Sequence, residues 1–261
     1  MTYLRLLWVF FRLGALSELQ YRANFFVQMF QSLIGLVYAL AGLAVVFAHT
    51  DTLGGWRADE LLAVLGVFFL VGGAINLVMR PSMERFMADV RQGTLDFTLT
   101  KPEDSQILVS VGRVEIWKLV DVLMGLVVLA IALIRLRADI GGWHALAFVT
   151  ALLAGGAIVY SFLLALATCS FWFVRVENIL VIFQSMYEAG RWPVGIYPQW
   201  LRLTLTFLVP IAFAITVPAE ALSGRLTWQT LAGAVALALA LLAFSRWFWK
   251  VGVRHYSGAS A

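Results

Sequence analysis

Charged residues are scarce in this sequence. Only 13% of its 261 residues are charged, whereas 62% are hydrophobic. A soluble globular domain carries about 25% charged residues, so the composition excludes that class. It indicates instead an all-α polytopic membrane protein with a single membrane domain over residues 1–261. The 10 Trp and 7 Tyr residues suit the aromatic belts at the two membrane interfaces.

Motifs for catalysis and metal binding are also missing. The single cysteine, Cys169, excludes an internal disulfide framework, and a packing role is expected for it in its apolar run. No lysine follows a glycine, so there is no G-x-x-x-x-G-K-(S/T) loop and the chain is not expected to bind ATP itself. No H-E-x-x-H is present, and the three histidines are scattered, which predicts no metal site, no cofactor in this chain and no catalytic residue. The formal charge of +4 is spread between apolar runs and does not indicate nucleic acid binding.

Long apolar runs predict the membrane spans, since about 20 residues are needed to cross a bilayer. Five runs are long enough: 25–48, 61–79, 114–134, 145–174 and 226–245. Residues 178–187 are apolar but too short to cross alone. They must either extend through Glu188 and Arg191 or stop inside the membrane. The run 203–217 is broken by Pro210 and can be re-entrant.

The distribution of positive charge indicates whether the chain crosses the membrane six or seven times. With six crossings and a re-entrant segment, 13 of the 19 Lys and Arg residues share one side with both termini, and the other 6 lie opposite. Seven crossings would put Arg246, Lys250 and Arg254 outside. The positive-inside rule therefore predicts six spans with both termini cytoplasmic. We also expect the chain to lie in the plasma membrane of a bacterium.

The N-terminal segment has the pattern of a helix that lies in the interface plane. Residues 3–16 place apolar side chains on one helical face and Arg5 and Arg12 on another. The apolar face consists of Leu4, Trp8, Phe11 and Ala15. A signal peptide is the alternative, but Arg12 interrupts the apolar run and no clear cleavage site follows. We expect an interfacial helix within residues 1–24.

The long polar interval of the chain, residues 80–105, carries an amphipathic helix pattern. Its apolar positions recur at i, i+3, i+4 and i+7, and they are Met83, Phe86, Met87 and Val90. Its other sides carry Glu84, Arg85, Asp89 and Arg91. Pro81 and Ser82 should separate this helix from the preceding span, with Ser82 as its cap, and Gly93 should end it. The alternation that follows predicts an extended segment as far as Pro102. An ordinary cytoplasmic loop is the alternative.

The particular residues of this interval argue against an ordinary loop. The run Arg91-x-Gly93-Thr94-Leu95-Asp96-x-x-Leu99-x-Lys101-Pro102 resembles the R-x-G-T-L-(D/E)-x-L-P pattern that follows the coupling helix in ABC-2 type transporter permeases. The resemblance implies a six-span half-transporter whose coupling helix docks on a dimer of separate ATPase subunits, which would hold ATP and Mg. It also implies a second permease subunit, identical or related. Leu95 and Asp96 belong to the motif and would brace the helix.

The same resemblance bears on both ends of the chain. Permeases of this family often begin with an interfacial elbow helix, as expected here for residues 1–24. They also carry re-entrant helices between spans five and six, which would correspond to residues 192–222, a proline-rich region.

Charged residues near the membrane are candidates for a translocation path. Tyr187, Glu188, Arg191 and Trp192 would line its outer mouth, because intramembrane charge usually faces the protein interior. The alternative is an ordinary ion pair between Glu188 and Arg191 where span five leaves the membrane.

Two functions remain open from the sequence. The favoured one is the permease subunit of an ATP-driven exporter that works by alternating access on a lipid-like or amphipathic substrate. The alternative is a membrane scaffold or an intramembrane enzyme without an ATPase partner. The enzyme would need paired Asp, Ser-His or zinc-type residues, and the sequence provides no such set.

Overall fold

The structure, a computed structural model, describes residues 22–136, 141–173 and 178–256. Within these ranges the regular structure is helical, apart from one isolated β-bridge between Leu53 and Trp56. The all-α prediction is confirmed. The interfacial helix expected over residues 1–24 falls almost wholly outside the described residues.

The helices follow one another with short connections. In chain order they are α1 (Arg22–Phe47), α2 (Ala58–Ala74), α3 (Arg80–Gln92), α4 (Asp96–Leu99), α5 (Ser105–Ser110), α6 (Leu119–Leu136), α7 (Gly142–Thr168), α8 (Asn178–Tyr187), α9 (Gln199–Leu203), α10 (Ile211–Ala214), α11 (Thr216–Leu222) and α12 (Trp228–His255). Two π-helical turns, Ile75–Met79 and Thr204–Leu208, and four 3₁₀ turns, Ile116–Lys118, Cys169–Phe171, Glu188–Arg191 and Val194–Ile196, lie between them.

Five of the described helices are long and apolar enough to cross a membrane. They are Phe26–Phe47, Ala58–Gln92, Ile116–Leu136, Gly142–Phe171 and Trp228–His255. A sixth candidate is a pair of segments, Gln199–Leu208 and Ile211–Leu222, bent by 72° at the break between them. The chain is therefore a multi-pass membrane protein.

The second span and the polar helix are one continuous helix of 35 residues, Ala58–Gln92. The predicted break at Pro81 and Ser82 is wrong. Pro81 has no amide to donate to the Leu77 carbonyl, but the Glu115 amide donates to that carbonyl at 2.8 Å. A π turn over Ile75–Met79 accommodates the change in hydrogen bonding.

Of the two predicted ends of α3, only the C-terminal one agrees with the structure. Ser82 does not cap the helix. Its hydroxyl donates to the Arg113 carbonyl at 2.9 Å and accepts from the Arg113 amide at 3.2 Å. Gly93 does end the helix, in the left-handed conformation with φ 70°. The extended segment expected after it is wrong, because Asp96–Leu99 is a short helix.

Close packing between α2 and α6 forms the centre of the bundle. A Cβ atom on Gly66 would lie 2.7 Å from the Leu129 side chain, and one on Gly73 would lie 2.7 Å from the Val122 nitrogen. Small residues at these points let the two backbones approach, which is how helices associate where lipid removes the hydrophobic driving force. On the other side, α7 packs against α12 and against the bent pair.

The bent pair begins and ends at the same end of the bundle. Just before it, Ile196 lies against Gly54, so closely that a Cβ there would be 2.6 Å from the Ile196 Cγ2. Just after it, Arg225 donates to the Gly55 carbonyl at 2.7 Å. We call this end, with residues 49–60 and 222–228, the loop end. The segment enters from the loop end and returns to it, so it is re-entrant.

The helix α8 stops at mid-length of the bundle. Its ten residues rise about 15 Å, half of a hydrocarbon core. It ends at Tyr187, whose hydroxyl donates at 2.8 Å to the carbonyl of Phe68 in the middle of the second span. From there the chain continues through 3₁₀ turns to Ile196 at the loop end. Of the two alternatives from the sequence, the structure therefore has the helix that stops inside the membrane.

Candidate functional site

The apolar face of α3 is buried against this chain's own core. Met83, Phe86 and Met87 are each 2% exposed or less, and Val90 packs partly buried beside them. The Phe86 ring lies 5.0 Å from the Trp249 ring on α12, between centroids. This face holds α3 in place and is unavailable to a partner.

The polar face of α3 lies on the outside. Arg80 pairs with Glu84 at 2.8 Å, and Arg85 lies 3.9 Å from Asp89. The Arg85 side chain is 55% exposed and also donates to the Gly112 carbonyl at 2.7 Å. Arg91 follows in the last turn of the helix. We call α3, α4, α5 and the last turns of α12 the coupling end, after the coupling helix that the sequence resemblance predicts. Its accessible surface on α3 is charged.

The motif after α3 is folded back on the helix. The Thr94 hydroxyl donates to the Asp89 carboxylate at 3.1 Å, and the Thr94 amide donates to the Asp89 carbonyl at 2.9 Å. Leu95 is fully buried, and Asp96 begins α4. The turn after Gly93 is therefore tied to the last turn of α3.

An exposed aromatic side chain marks this turn. Phe97 is 75% exposed. The alternating pattern put Leu95 and Phe97 on the same face of an extended segment, but two positions on a helix point about 200° apart. Leu95 is therefore inside and Phe97 outside.

A second interaction that stabilises the coupling end, the ion pair between Asp104 and Arg246, was not predicted from the sequence. Asp104 caps α5 by accepting from the Gln106 amide at 3.0 Å, and Arg246 on α12 donates to the same carboxylate at 2.9 Å. The bound Arg246 guanidinium lowers the pKa of Asp104, although burial acts against it. The Asp-Ser-Gln run signals the cap, but nothing local signals Arg246, which is 142 residues away.

A polar cavity of about 200 Å³ lies between α1, α2, the start of α6 and α8. Its charged lining groups are Lys118, Asp121, Glu188 and Arg191. Its uncharged polar groups are Gln28, Gln31, Ser32, Asn76, Gln184 and Tyr187. Lys118 pairs with Asp121 at 3.3 Å, and Arg191 pairs with Glu188 at 2.5 Å.

The second span shapes one wall of this cavity. The Tyr187 ring stacks on Phe68 at 5.0 Å, and the Arg191 guanidinium lies 5.4 Å from the centroid of the same Phe68 ring. Gly72 leaves room for Tyr187, since a Cβ there would lie 3.0 Å from the Tyr187 Cε1. These residues were expected at an outer mouth, but they lie at mid-length of the bundle. Trp192 is not among the lining residues and packs partly buried on the core.

At the loop end, a buried carboxylate holds the start of α2. Glu60 is 4% exposed and accepts from Arg225 at 2.7 Å and from the Arg57 amide at 2.8 Å. The Arg225 guanidinium also lies 4.7 Å from the centroid of the Trp56 ring. Sequence reasoning treated Arg225 only as a positive charge outside the membrane. The 165 residues between the partners give no local signal of the pair.

The described residues contain no group of three or more His, Cys, Asp or Glu side chains placed to hold a metal ion.

The model of a family described as "ABC-2 family transporter protein" matches residues 33–260. No curated protein matches the chain.

Proposed function

Because the chain belongs to the ABC-2 family of transporter proteins, we propose that it is the permease subunit of an ATP-driven exporter whose energy comes from a dimer of separate ATPase subunits. The observation that carries this proposal is the continuous helix Ala58–Gln92. The 13 residues of α3 extend about 20 Å beyond Met79, at a rise of 1.5 Å per residue. This extension joins the most buried span of the bundle to a charged surface at the coupling end.

We propose that the polar face of α3 is the docking surface. Glu84, Arg85, Asp89 and Arg91 would contact the ATPase, while Met83, Phe86, Met87 and Val90 would carry the force into the core. Leu95 and Asp96 would keep the tip of α3 rigid. ATP and Mg would be held by the ATPase subunits, whose closure would push on α3.

Transport would then follow from movement of the second span. Acting as one continuous helix, Ala58–Gln92 would pass a push at Gln92 to α2 and to the α6 helix packed on it, so the two would move together. The cavity beside Tyr187, Glu188 and Arg191 adjoins this pair and would form the polar part of the path. A second permease subunit, identical or related, would complete the path, and an amphipathic substrate suits a polar cavity among apolar helices. Trp192, outside the cavity lining, would support its wall.

We also propose that the coupling end faces the cytoplasm of a bacterial cell and that both termini lie on that side. The support is the positive-inside rule, since Arg80, Arg85, Arg91, Lys101, Arg113, Arg246, Lys250 and Arg254 all belong to this end or flank it. Single cysteines test this orientation in a Cys169→Ala background. Gln92→Cys and His255→Cys should be protected from an impermeant thiol reagent in intact cells, while Asp51→Cys and Gln229→Cys should react. Reaction of His255→Cys from outside would contradict the proposed orientation.

The function itself is tested by copurification from cells that express the chain with its genomic neighbours. We expect a P-loop ATPase to copurify and to hydrolyse ATP in the complex, and the isolated chain to show no hydrolysis. ATP hydrolysis by the isolated chain, with contaminants excluded, or the absence of any ATPase in the complex would contradict the proposal. The second result would favour a scaffold.

A further inference from the structure

The mid-bundle cavity is lined by two basic and two acidic side chains, which form two ion pairs. Lys118 and Asp121 form one pair at the start of α6, and Glu188 and Arg191 form the other after α8. Counted over the residues that the structure describes, the cavity lining therefore has a formal charge of zero without being apolar. Charged side chains at membrane depth are costly unless they are paired, as these four are, or face a water-filled space.

The hydrogen-bonding capacity of the cavity is not used up by these pairs. The Arg191 Nε is buried and has no hydrogen-bond partner within the described ranges 22–136, 141–173 and 178–256. The Gln28 and Gln31 amides line the wall on α1. A buried donor without a partner has a free-energy cost that a bound acceptor would remove.

The charge pattern discriminates among ligands. An anion drawn to Lys118 or Arg191 would lie beside Asp121 or Glu188, so attraction and repulsion would largely cancel. A cation drawn to Asp121 or Glu188 would likewise lie beside Lys118 or Arg191, and attraction and repulsion would again largely cancel. A ligand with one charge of each sign can place its anion against a base and its cation against a carboxylate.

The surroundings of the cavity indicate that the ligand has an apolar part. Phe30 lies between the two glutamines of α1 and is 64% exposed, and Val181 and Ile182 precede Gln184 on α8 and are 56% and 59% exposed. These exposed apolar side chains lie on α1 and α8, two of the helices that border the cavity. Apolar chains beside them would stay in the bilayer.

We infer that the cavity binds the zwitterionic headgroup of a lipid whose acyl chains remain in the bilayer between α1 and α8. The inference rests on the proposed transport function and narrows its substrate class. Lys118 and Arg191 bind the phosphate, and Asp121 and Glu188 bind the ammonium group.

Native mass spectrometry of the purified chain in detergent tests this inference with three lipids of identical acyl chains. They are phosphatidylcholine, its cationic O-ethyl ester and phosphatidylglycerol. Phosphatidylcholine should be retained about tenfold more than either singly charged lipid, which corresponds to one additional charge-assisted contact. Soluble phosphocholine at the same concentration should be retained less than the lipid. Equal retention of the three lipids, or stronger retention of soluble phosphocholine, would overturn the inference.

Charge variants give a readout that a purely structural role would not. Asp121→Asn makes the cavity net positive and should shift the preference about tenfold toward phosphatidylglycerol, and Lys118→Gln should shift it by a similar factor toward the O-ethyl ester. Asp59→Asn removes a carboxylate that pairs with Arg135 elsewhere in the bundle, and it should leave the preference unchanged. If Asp121→Asn and Lys118→Gln shift the preference in the same direction, the cavity does not sort ligands by charge.

The double variant Lys118→Gln with Asp121→Asn restores neutrality and covers the case in which a single variant fails to fold. Because Glu188 and Arg191 remain, it should weaken the preference for phosphatidylcholine without gaining one for either charged lipid, and an undiminished preference would overturn the inference. Since lipid retention needs no ATPase, this test can fail while copurification succeeds, and the reverse also holds.

Discussion

The first two spans are both apolar, but they occupy different positions in the bundle. Both are long apolar helices, yet none of the most apolar window of α1 is buried, whereas 72% of the corresponding window in Ala58–Gln92 is. Both carry two glycines seven residues apart, on one helical face. Gly66 and Gly73 meet α6 closely, but among the described residues Gly35 and Gly42 have nothing within 4 Å of an added Cβ. Hydropathy is enough to identify a membrane span. Whether that span lies in the centre of the bundle depends on whether another helix packs closely against its glycines.

The largest expected effect comes from filling a glycine contact of the central span. Gly66→Val should place its side chain within the Leu129 backbone and side chain and cost about 3 kcal/mol or more. Gly42→Val on α1 meets no atom of the described part of the chain and should leave the stability of the isolated chain unchanged. Thermal melting followed by size-exclusion chromatography compares them. Similar losses for both variants would remove the distinction between the two spans.

A smaller effect is expected at the start of the central span, where Glu60 binds Arg225. Glu60→Gln leaves a less favourable partner for a partly exposed guanidinium and should cost about 1–3 kcal/mol. The matched control is the neighbouring Asp59→Asn. Its pair with Arg135 is 3.9 Å long and exposed, and its loss should cost about 0–1 kcal/mol. If Glu60→Gln and Asp59→Asn have equal melting temperatures, the burial of Glu60 does not make its ion pair contribute more to stability than the exposed pair of Asp59.

The coupling end should respond to pH through Asp104. Its folded-state pKa is lowered, mainly by the hydrogen bond from Arg246, so its contribution to stability is present above the ordinary Asp range and is lost as pH falls through the folded pKa. The advantage in melting temperature of the wild type over Asp104→Asn should therefore shrink as pH falls from about 6 to about 3. A constant or growing advantage would contradict the assigned pair.

The smallest expected effect concerns the exposed face of α3. Asp89→Ala should reduce ATPase copurification by at most about fivefold, because a solvated ion pair at a rim contributes about 0–1 kcal/mol. Asp51→Ala, at the loop end, serves as the control and should leave copurification unchanged. A complete loss with Asp89→Ala would place this carboxylate at a buried centre of the interface instead.

How far the sequence predicts this structure depends on the distance between interacting residues. The spans, the amphipathic face of α3 and its end at Gly93 follow from local hydrophobicity and backbone conformation. The re-entrant segment follows from Pro210 within an apolar run together with the distribution of positive charge. The coupling role and the translocation path stay predictions.

Features that depend on distant partners were missed. The helix continues through Pro81 because the Glu115 amide, far along the chain, takes over the Leu77 carbonyl. Residues after Gly93 fold as a helix because Leu95 is buried, although alternation favoured an extended segment. The mid-length position of Glu188 and Arg191 depends on Tyr187 binding the Phe68 carbonyl, 119 residues away.

The central claim is that α2 and α3 act as one rigid helix that couples an ATPase to the bundle. It is tested most directly by substrate-stimulated ATP hydrolysis in the complex with Ala88→Pro. Proline there removes an interior amide and clashes with the preceding turn, costing ~3 kcal/mol or more, while the apolar spans should still insert. The control is Ser105→Pro, because the first position of α5 tolerates proline. We expect normal membrane expression of both variants, with stimulated hydrolysis lost only in Ala88→Pro. Wild-type assembly and hydrolysis in Ala88→Pro would contradict the claim.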